Sequence, residues 1–242
     1  MNTILNIAAY KFVSLDDLPM RRDQLKSRCA ELQLRGTILL APEGINLFLA
    51  GTPESIATFK SELWSDAAFV DIQFKDSFSD HQPFGKLLVK IKKEIIPFGV
   101  PEVNPAKQPA ERLLARTLKV WLDEGRDVVL LDTRNAFEIK HGTFKNARDF
   151  GINQFRDFPQ ATADANESLK EKTIVTFCTG GIRCEKAAPF LSQQGFRNVF
   201  QLDGGILKYF EECGNAHFDG DCFVFDERVA LDADLRATEA TD

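Results

Sequence analysis

The chain has 242 residues, of which 44% are hydrophobic and 27% charged, and its formal net charge is −6. At roughly 150 residues per domain, this length predicts two globular domains. No apolar run reaches the roughly 20 residues that a membrane span needs. The negative charge argues against a protein that coats nucleic acid through phosphate contacts. We therefore expect neither a membrane nor DNA as a partner.

Cysteine and histidine usage points to free thiols and to no metal site. Five cysteines are scattered along the chain, which is too sparse for a disulfide framework, and the three histidines form no ligand pattern. The N-terminus, MNTILNIAAYKF, lacks a basic region before its apolar residues. It is typical of a first strand and not of a signal peptide, so we expect a cytoplasmic protein.

The first part of the chain, residues 1–97, predicts a ferredoxin-like α+β sandwich. Thr52 and Pro53 are typical of a helix start, with Thr52 as the N-cap. The order is β-α-β-β-α-β with one extra strand, which favours an antiparallel sheet covered by two helices. The predicted strands are 3–12, 37–41, 45–51, 69–78 and 86–96, and the predicted helices are 15–34 and 56–64.

A proline-rich segment divides the chain. Residues 97–110 hold four of the ten prolines, which marks a domain boundary. We assign 98–111 to a linker, 112–215 to a second domain and 216–242 to a C-terminal extension. The extension ends in the polar run DADLRATEATD, which we expect to be disordered.

The second domain alternates strands and helices, which predicts an α/β fold. Its strands are nearly all apolar, as expected for a parallel sheet that is buried on both faces. The predicted strands are 127–132, 173–178 and 198–205 with its turn, and the predicted helices are 111–125 and 184–195.

The candidate reactive group is Cys178, at the end of a buried strand. The loop that follows it is Thr179-Gly180-Gly181-Ile182-Arg183, and a helix begins after the loop. Adjacent glycines at a helix N-terminus let backbone N–H groups converge on an anion. The charge of Arg183 adds to that effect, so we expect a depressed thiol pKa at Cys178. A buried structural cysteine is the alternative interpretation.

The loop resembles the active-site loop of rhodaneses, and DTRNAFE (132–138) resembles the Asp-x-Arg-x-x-x-Glu segment of that family. Longer motifs resemble a narrower family, the bacterial rhodanese-domain tRNA uridine hydroxylases. These motifs are GTILLAPEGIN (36–46), SFSDHQPFGKLLVKIKKEI (77–95), DTRNAFEIKHGTF (132–144), FCTGGIRCEKA (177–187), QLDGGILKYFEE (201–212) and CFVFDERV (222–229).

The resemblance implies a rhodanese-like second domain and oxygen-dependent formation of 5-hydroxyuridine at the wobble position of tRNA. No cofactor motif is visible, so molecular oxygen and an unidentified reductant are implied by the resemblance alone. A persulfide-forming sulfurtransferase is the alternative from the loop chemistry. A phosphatase would need Cys-x5-Arg, whereas Cys178 and Arg183 have Cys-x4-Arg spacing. A non-catalytic binding module would not need the cysteine.

Other residues near the loop have structural interpretations first. We expect Arg134 and Glu138 to form an ion pair and Asp132 to position the loop after its strand. Cys184 is either a small apolar residue packed in the first helical turn or a thiol that resolves oxidised Cys178. Pro189 lies inside the predicted helix and is expected to kink it.

The densest basic stretch contains Lys86, Lys90, Lys92 and Lys93. It is either the solvated face of a strand or, with tRNA as the substrate, a track for the RNA backbone. By the period of two, Lys90 and Lys92 would share one face and Lys93 the other.

Overall fold

The computed structural model describes residues 3–163 and 167–238. The chain packs as two units, residues 1–96 with 226–228 and residues 97–225 with 229–242. In the described residues, no helix is long and apolar enough to cross a membrane.

The first unit is a five-stranded sheet with two helices. Its order, β4-β1-β3-β2-β5, confirms the predicted ferredoxin-like arrangement. The strands are β1 (Ile4–Phe12), β2 (Arg35–Ala41), β3 (Gly44–Gly51), β4 (Phe74–Ser79) and β5 (Leu87–Ile91), and the helices are α1 (Leu18–Glu31) and α2 (Pro53–Ser65). The sheet is antiparallel except for β5, which runs parallel to β2, so the antiparallel prediction is wrong for this edge.

Helix α2 begins as predicted. The Thr52 hydroxyl accepts a hydrogen bond from the N–H of Ser55 at 3.2 Å, and Pro53 occupies the first turn. Apolar side chains from both helices and from β2 and β3 form the hydrophobic core of this unit. Cys29 and Phe59 are buried there against strand residues such as Ile38 and Leu47.

Two strands of the first unit are shorter than predicted. Residues 69–73 form turns in which Phe69 and Ile72 are buried, so β4 starts only at Phe74. Strand β5 ends at Ile91 instead of continuing to residue 96. Farther on, the N–H of Ile95 donates to the carboxylate of Glu43 at 2.7 Å, which replaces a strand partner.

The second unit contains a four-stranded sheet of order β6-β10-β9-β7. All its pairings are parallel, which confirms the α/β prediction. The strands of this unit are β6 (Glu111–Leu113), β7 (Val128–Asp132), β8 (Gly142–Phe144), β9 (Thr173–Phe177), β10 (Asn198–Leu202), β11 (Phe218–Gly220), β12 (Cys222–Phe223) and β13 (Ala230–Leu231). The helices are α3 (Ala115–Asp123), α4 (Ala136–Ile139), α5 (Phe158–Ala163), α6 (Glu167–Lys170), α7 (Cys184–Gln193) and α8 (Gly205–Cys213), with a 3₁₀ turn at Phe155–Asp157.

Two local predictions in this unit are wrong. Residues 111–113 form the edge strand β6 beside β10, and the helix begins only at Ala115. Pro189 lies inside α7, as predicted, and the helix continues from Cys184 to Gln193. The polar end is hydrogen-bonded as far as it is described, since the N–H of Thr238 donates to the carbonyl of Ala230. Residues 239–242 lie outside the described residues.

The proline-rich segment contributes to the core of the second unit. Phe98 is 1% exposed, and its ring centroid lies 5.0 Å from that of Phe155 and 5.5 Å from that of Phe190. This part of the segment is therefore packed and not free in solvent.

Candidate active site

Cys178 lies at the carboxyl end of β9, the edge at which parallel sheets bind ligands. The loop curls over the sulfur, and the N–H of Gly181 donates to Cys178 Sγ at 3.1 Å. Gly181 has a φ of +99°, which side chains rarely adopt, so a glycine is required at this turn. Thr179, Gly180 and Ile182 are half-buried, whereas Gly181 and Arg183 are buried. The loop thus presents backbone donors toward an anionic sulfur.

Arg183 is held beside the sulfur by a buried ion pair. Its Nη1 and Nη2 atoms donate to the two carboxylate oxygens of Glu138 at 2.5 and 2.7 Å. The side chains are 6% and 0% exposed. The N–H of Asn135 also donates to the Glu138 carboxylate, at 3.0 Å. Helix α4 therefore fixes the guanidinium through Glu138.

The surroundings of Cys178 favour its thiolate. Burial opposes ionisation, but a hydrogen bond from the Cys184 thiol, the charge of Arg183 and the N–H groups of Arg183 and Gly181 outweigh it, and together they lower the pKa to about 5. Burial instead raises the pKa of the other four cysteines, Cys29, Cys184, Cys213 and Cys222. At neutral pH Cys178 is therefore the thiol that carries negative charge.

Cys184 is buried in the first turn of α7, where its sulfur lies 3.7 Å from the Thr133 hydroxyl. Burial raises the pKa of its thiol, and the neighbouring Cys178 thiolate raises it further. Cys184 therefore stays protonated, and its neutral thiol favours the thiolate of Cys178. The packing interpretation of Cys184 is confirmed, and a resolving role for its thiol stays a prediction.

The predicted ion pair between Arg134 and Glu138 is wrong. Arg134 folds back onto Asp132, with Nη2 2.7 Å from the carboxylate, while Glu138 binds Arg183 instead. The Asp132 carboxylate also accepts from the Thr143 hydroxyl at 2.8 Å. Asp132 therefore anchors the segment after β7, as expected, and Glu138 gains a place in the site.

Helix α8 supports the loop from the other side, which the sequence did not indicate. The N–H groups of Ile206 and Leu207 donate to the carbonyls of Cys178 and Thr179 at 2.9 and 3.1 Å. Gly205 makes this approach possible, because a Cβ there would overlap the Cys178 carbonyl oxygen and lie 2.8 Å from Gly181 N. The motif QLDGG carried a signal, but its glycines were interpreted only as a turn.

The C-terminal extension also reaches the loop. The Thr179 hydroxyl donates to the carbonyl of Phe223 in β12 at 3.5 Å. Cys222 is buried beside it. Sequence reasoning missed this contact because residues 178 and 223 are distant along the chain.

The four lysines belong to the first unit, whereas the elements that build the Cys178 loop belong to the second. Lys86, Lys90, Lys92 and Lys93 are all exposed, and Lys90 lies in the edge strand β5. Lysines on an edge strand also discourage pairing with other chains, which is a structural reason for them. Because β5 ends at Ile91, the predicted alternation of Lys92 and Lys93 does not apply.

Across the described ranges, no three His, Cys, Asp or Glu side chains lie together in a way that could hold a metal ion.

Two family profiles match the two units. Residues 4–95 match the UPF0176 acylphosphatase like domain, and residues 114–212 match the Rhodanese-like domain.

Curated relatives match nearly the whole chain. A tRNA uridine(34) hydroxylase of Variovorax paradoxus is 54% identical over 99% of this chain and 93% of its own length. Proteins of the same name from Burkholderia cenocepacia and Bordetella parapertussis are 55% and 54% identical, over 98% and 97% of this chain and 87% and 98% of their own lengths. With this identity over both units, the chain belongs to the tRNA uridine(34) hydroxylase family.

Proposed function

We propose that this protein hydroxylates uridine 34 of tRNA, with Cys178 as the reactive group. Identity of 54–55% to proteins named for this activity, over nearly the whole chain, supports the reaction. The geometry that supports Cys178 is its sulfur, 3.1 Å from the N–H of Gly181 and next to the guanidinium of Arg183. The reaction would take place in the cytoplasm, where mature tRNA is found.

The product proposed is 5-hydroxyuridine, with molecular oxygen as the oxidant. One oxygen atom enters the C5–H bond of uracil and the other leaves as water, which consumes two electrons and two protons from a reductant. What this chain supplies is a sulfur that is anionic at neutral pH, shielded from bulk water and fixed by the loop.

A thiolate in this setting can act as a nucleophile or carry a further sulfur or oxygen atom. Both uses leave negative charge on or beside Cys178 Sγ. The N–H of Gly181 and the charge of Arg183 stabilise that charge in each case. Glu138 keeps the guanidinium in place, and the Cys184 thiol in the first turn of α7 favours the Cys178 thiolate.

A sulfurtransferase is the second candidate function, because the same loop would stabilise a persulfide on Cys178. Relatives named for sulfur transfer would favour it, whereas the curated relatives described above are named for hydroxylation. The two functions differ in product, since sulfur transfer from thiosulfate leaves tRNA nucleosides unchanged.

We also propose that the exposed lysines at β5 contact the tRNA backbone. Lys86, Lys90, Lys92 and Lys93 lie within a short exposed stretch of a protein whose net charge is −6. Such a local cluster is what phosphate contacts require.

Nucleoside mass spectrometry of tRNA tests the function. A strain that lacks the gene and other routes to 5-hydroxyuridine is complemented with the wild-type gene or with Cys178→Ser. We expect the wild type to restore the nucleoside and the variant to leave it absent. Restoration by neither gene would refute the hydroxylase function, and restoration by both would refute the role of Cys178.

A further inference from the structure

A group of phenylalanine rings borders the Cys178 loop. In CFVFD, residues alternate between the inside and the outside of the second unit, as a strand period of two predicts. Cys222 and Val224 are buried, whereas Phe223 is half-buried and Phe225 is 54% exposed. The two phenylalanines therefore lie on the outer face.

Phe137 from α4 joins these two rings. Its centroid lies 5.3 Å from that of Phe223 at 88° and 6.3 Å from that of Phe225 at 85°. Phe223 and Phe225 are 5.1 Å apart at 87°. In edge-to-face packing of this kind, the edge of one ring meets the face of the next. His141 packs against Phe223 at 5.3 Å and extends the same surface.

Large apolar groups that contact each other at the protein surface usually mark a binding site. Phe137 is 43% exposed and Phe225 54%. The other large apolar side chains recorded as exposed in the described part of this unit are Leu114 and Val120, which are aliphatic and lie at α3.

Two residues of this surface are connected to the reactive loop. The carbonyl of Phe223 accepts from the Thr179 hydroxyl at 3.5 Å, one residue after Cys178. Phe137 directly precedes Glu138, which holds Arg183. One hydrogen bond and one ion pair therefore link the ring-bearing residues to the elements that hold Cys178.

We infer that Phe137, Phe223 and Phe225 form an aromatic platform on which a base next to uridine 34 stacks. The inference rests on the proposed function, because an anticodon loop is single-stranded and brings bare bases to the loop together with uridine 34. Proteins recognise such RNA loops by stacking bases on Phe and His rings. Stacking tolerates any base, so the platform positions the loop without selecting its sequence.

The test uses Phe137→Ala and Phe225→Ala, with Val120→Ala as the matched control because Val120 is also exposed, at 48%, in the same unit. The substrate is a synthetic RNA hairpin with the sequence of a tRNA anticodon arm. We expect each phenylalanine variant to lower kcat/KM about 5- to 150-fold, the equivalent of ~1–3 kcal/mol of stacking. Val120→Ala should match the wild type, and Phe225→Trp should retain activity.

Hairpins that lack the base on one side or the other of uridine 34 identify the stacked base. With the hairpin that lacks the stacked base, Phe225→Ala should cause no further loss of kcat/KM, since the ring and the base act together. Additive losses with both hairpins would overturn the platform, as would unchanged kcat/KM in both phenylalanine variants. A change in oligomeric state without a change in kcat/KM would assign the rings to a protein interface instead.

Failure of the platform is separable from failure of the proposed function. The Cys178→Ser protein and its Phe225→Ala double variant are titrated with the fluorescent hairpin by anisotropy. Weaker binding by the double variant supports the platform even if the wild type forms no 5-hydroxyuridine. Equal binding, with normal wild-type hydroxylation, would refute the platform alone.

Discussion

Replacing Gly205 by alanine tests how α8 supports the reactive loop. Gly205 has a φ of +68°, and the new Cβ would overlap the Cys178 carbonyl oxygen and lie 2.8 Å from both Gly181 N and the Thr179 oxygen. The positive φ costs about 1–2 kcal/mol in itself. Backbone atoms cannot give way as a flexible side chain can, so the overlap adds about 1–3 kcal/mol.

Gly125→Ala separates these two costs. Gly125 has a φ of +66° at the end of α3, and no atom lies within 4 Å of a Cβ built there. It therefore carries the strain of the backbone without the overlap. Because ~1 kcal/mol corresponds to about 2–4 °C in a protein of this size, Gly205→Ala should melt ~2–12 °C below Gly125→Ala.

The assay is thermal denaturation followed by kcat for tRNA hydroxylation. A displacement of ~1 Å at the loop is enough to cost about 100-fold in rate, so Gly205→Ala should be nearly inactive at temperatures where it is folded. Gly125→Ala should keep wild-type kcat. Equal melting temperatures and equal rates for the two variants would refute the reasoning that α8 holds the loop in place.

Four further predictions follow from the charges. The Cys178 thiolate is followed by its ultraviolet absorbance, which Cys178→Ser removes, and its titration midpoint should lie near pH 5. Activity should therefore rise as pH increases through that value. A midpoint at or above about 8.5 would contradict stabilisation of the thiolate by the loop. In Cys184→Ala the same midpoint should rise, because the thiolate loses a donor, and an unchanged midpoint would leave Cys184 a packing role only. In urea unfolding, Glu138→Ala should destabilise the protein by about 3–5 kcal/mol, since it leaves Arg183 buried without its carboxylate. The control Glu124→Ala breaks an exposed pair with Arg126 and should cost under about 1 kcal/mol. Similar values for the two variants would refute the importance of burial. Charge reversal at Lys90 and Lys92 should weaken tRNA binding and flatten its salt dependence by about one unit of slope per lost phosphate contact, and an unchanged slope would leave these lysines their role at the sheet edge.

The local pattern of the sequence was enough to predict the strand, loop and helix around Cys178. An apolar strand, two glycines and a helix closed by Gly195 follow one another without interruption, so short-range rules apply at each step. The parallel sheet followed from the apolar strands in the same way. The order of elements also gave the ferredoxin-like topology, although it did not show that β5 pairs in parallel with β2.

What could not be predicted depends on contacts between distant parts of the chain. Arg134 and Glu138 are close along the chain, but in the fold Arg134 binds Asp132 and Glu138 binds Arg183. The contact between Thr179 and Phe223 spans 44 residues. Short-range sequence patterns do not encode such contacts, so the residues that hold the loop in place could be identified only from the fold.

The most direct test of the central claim is the reaction of purified protein with unmodified tRNA under isotopically heavy molecular oxygen. Serine fits the same loop, so Cys178→Ser should bind tRNA normally. It has no accessible anionic form at neutral pH, so the variant should not react. With a suitable reductant, we expect wild-type protein to form 5-hydroxyuridine at position 34 that carries the heavy isotope. The Cys178→Ser protein should form none. Full modification by Cys178→Ser would contradict the account, as would a product whose hydroxyl oxygen comes from water.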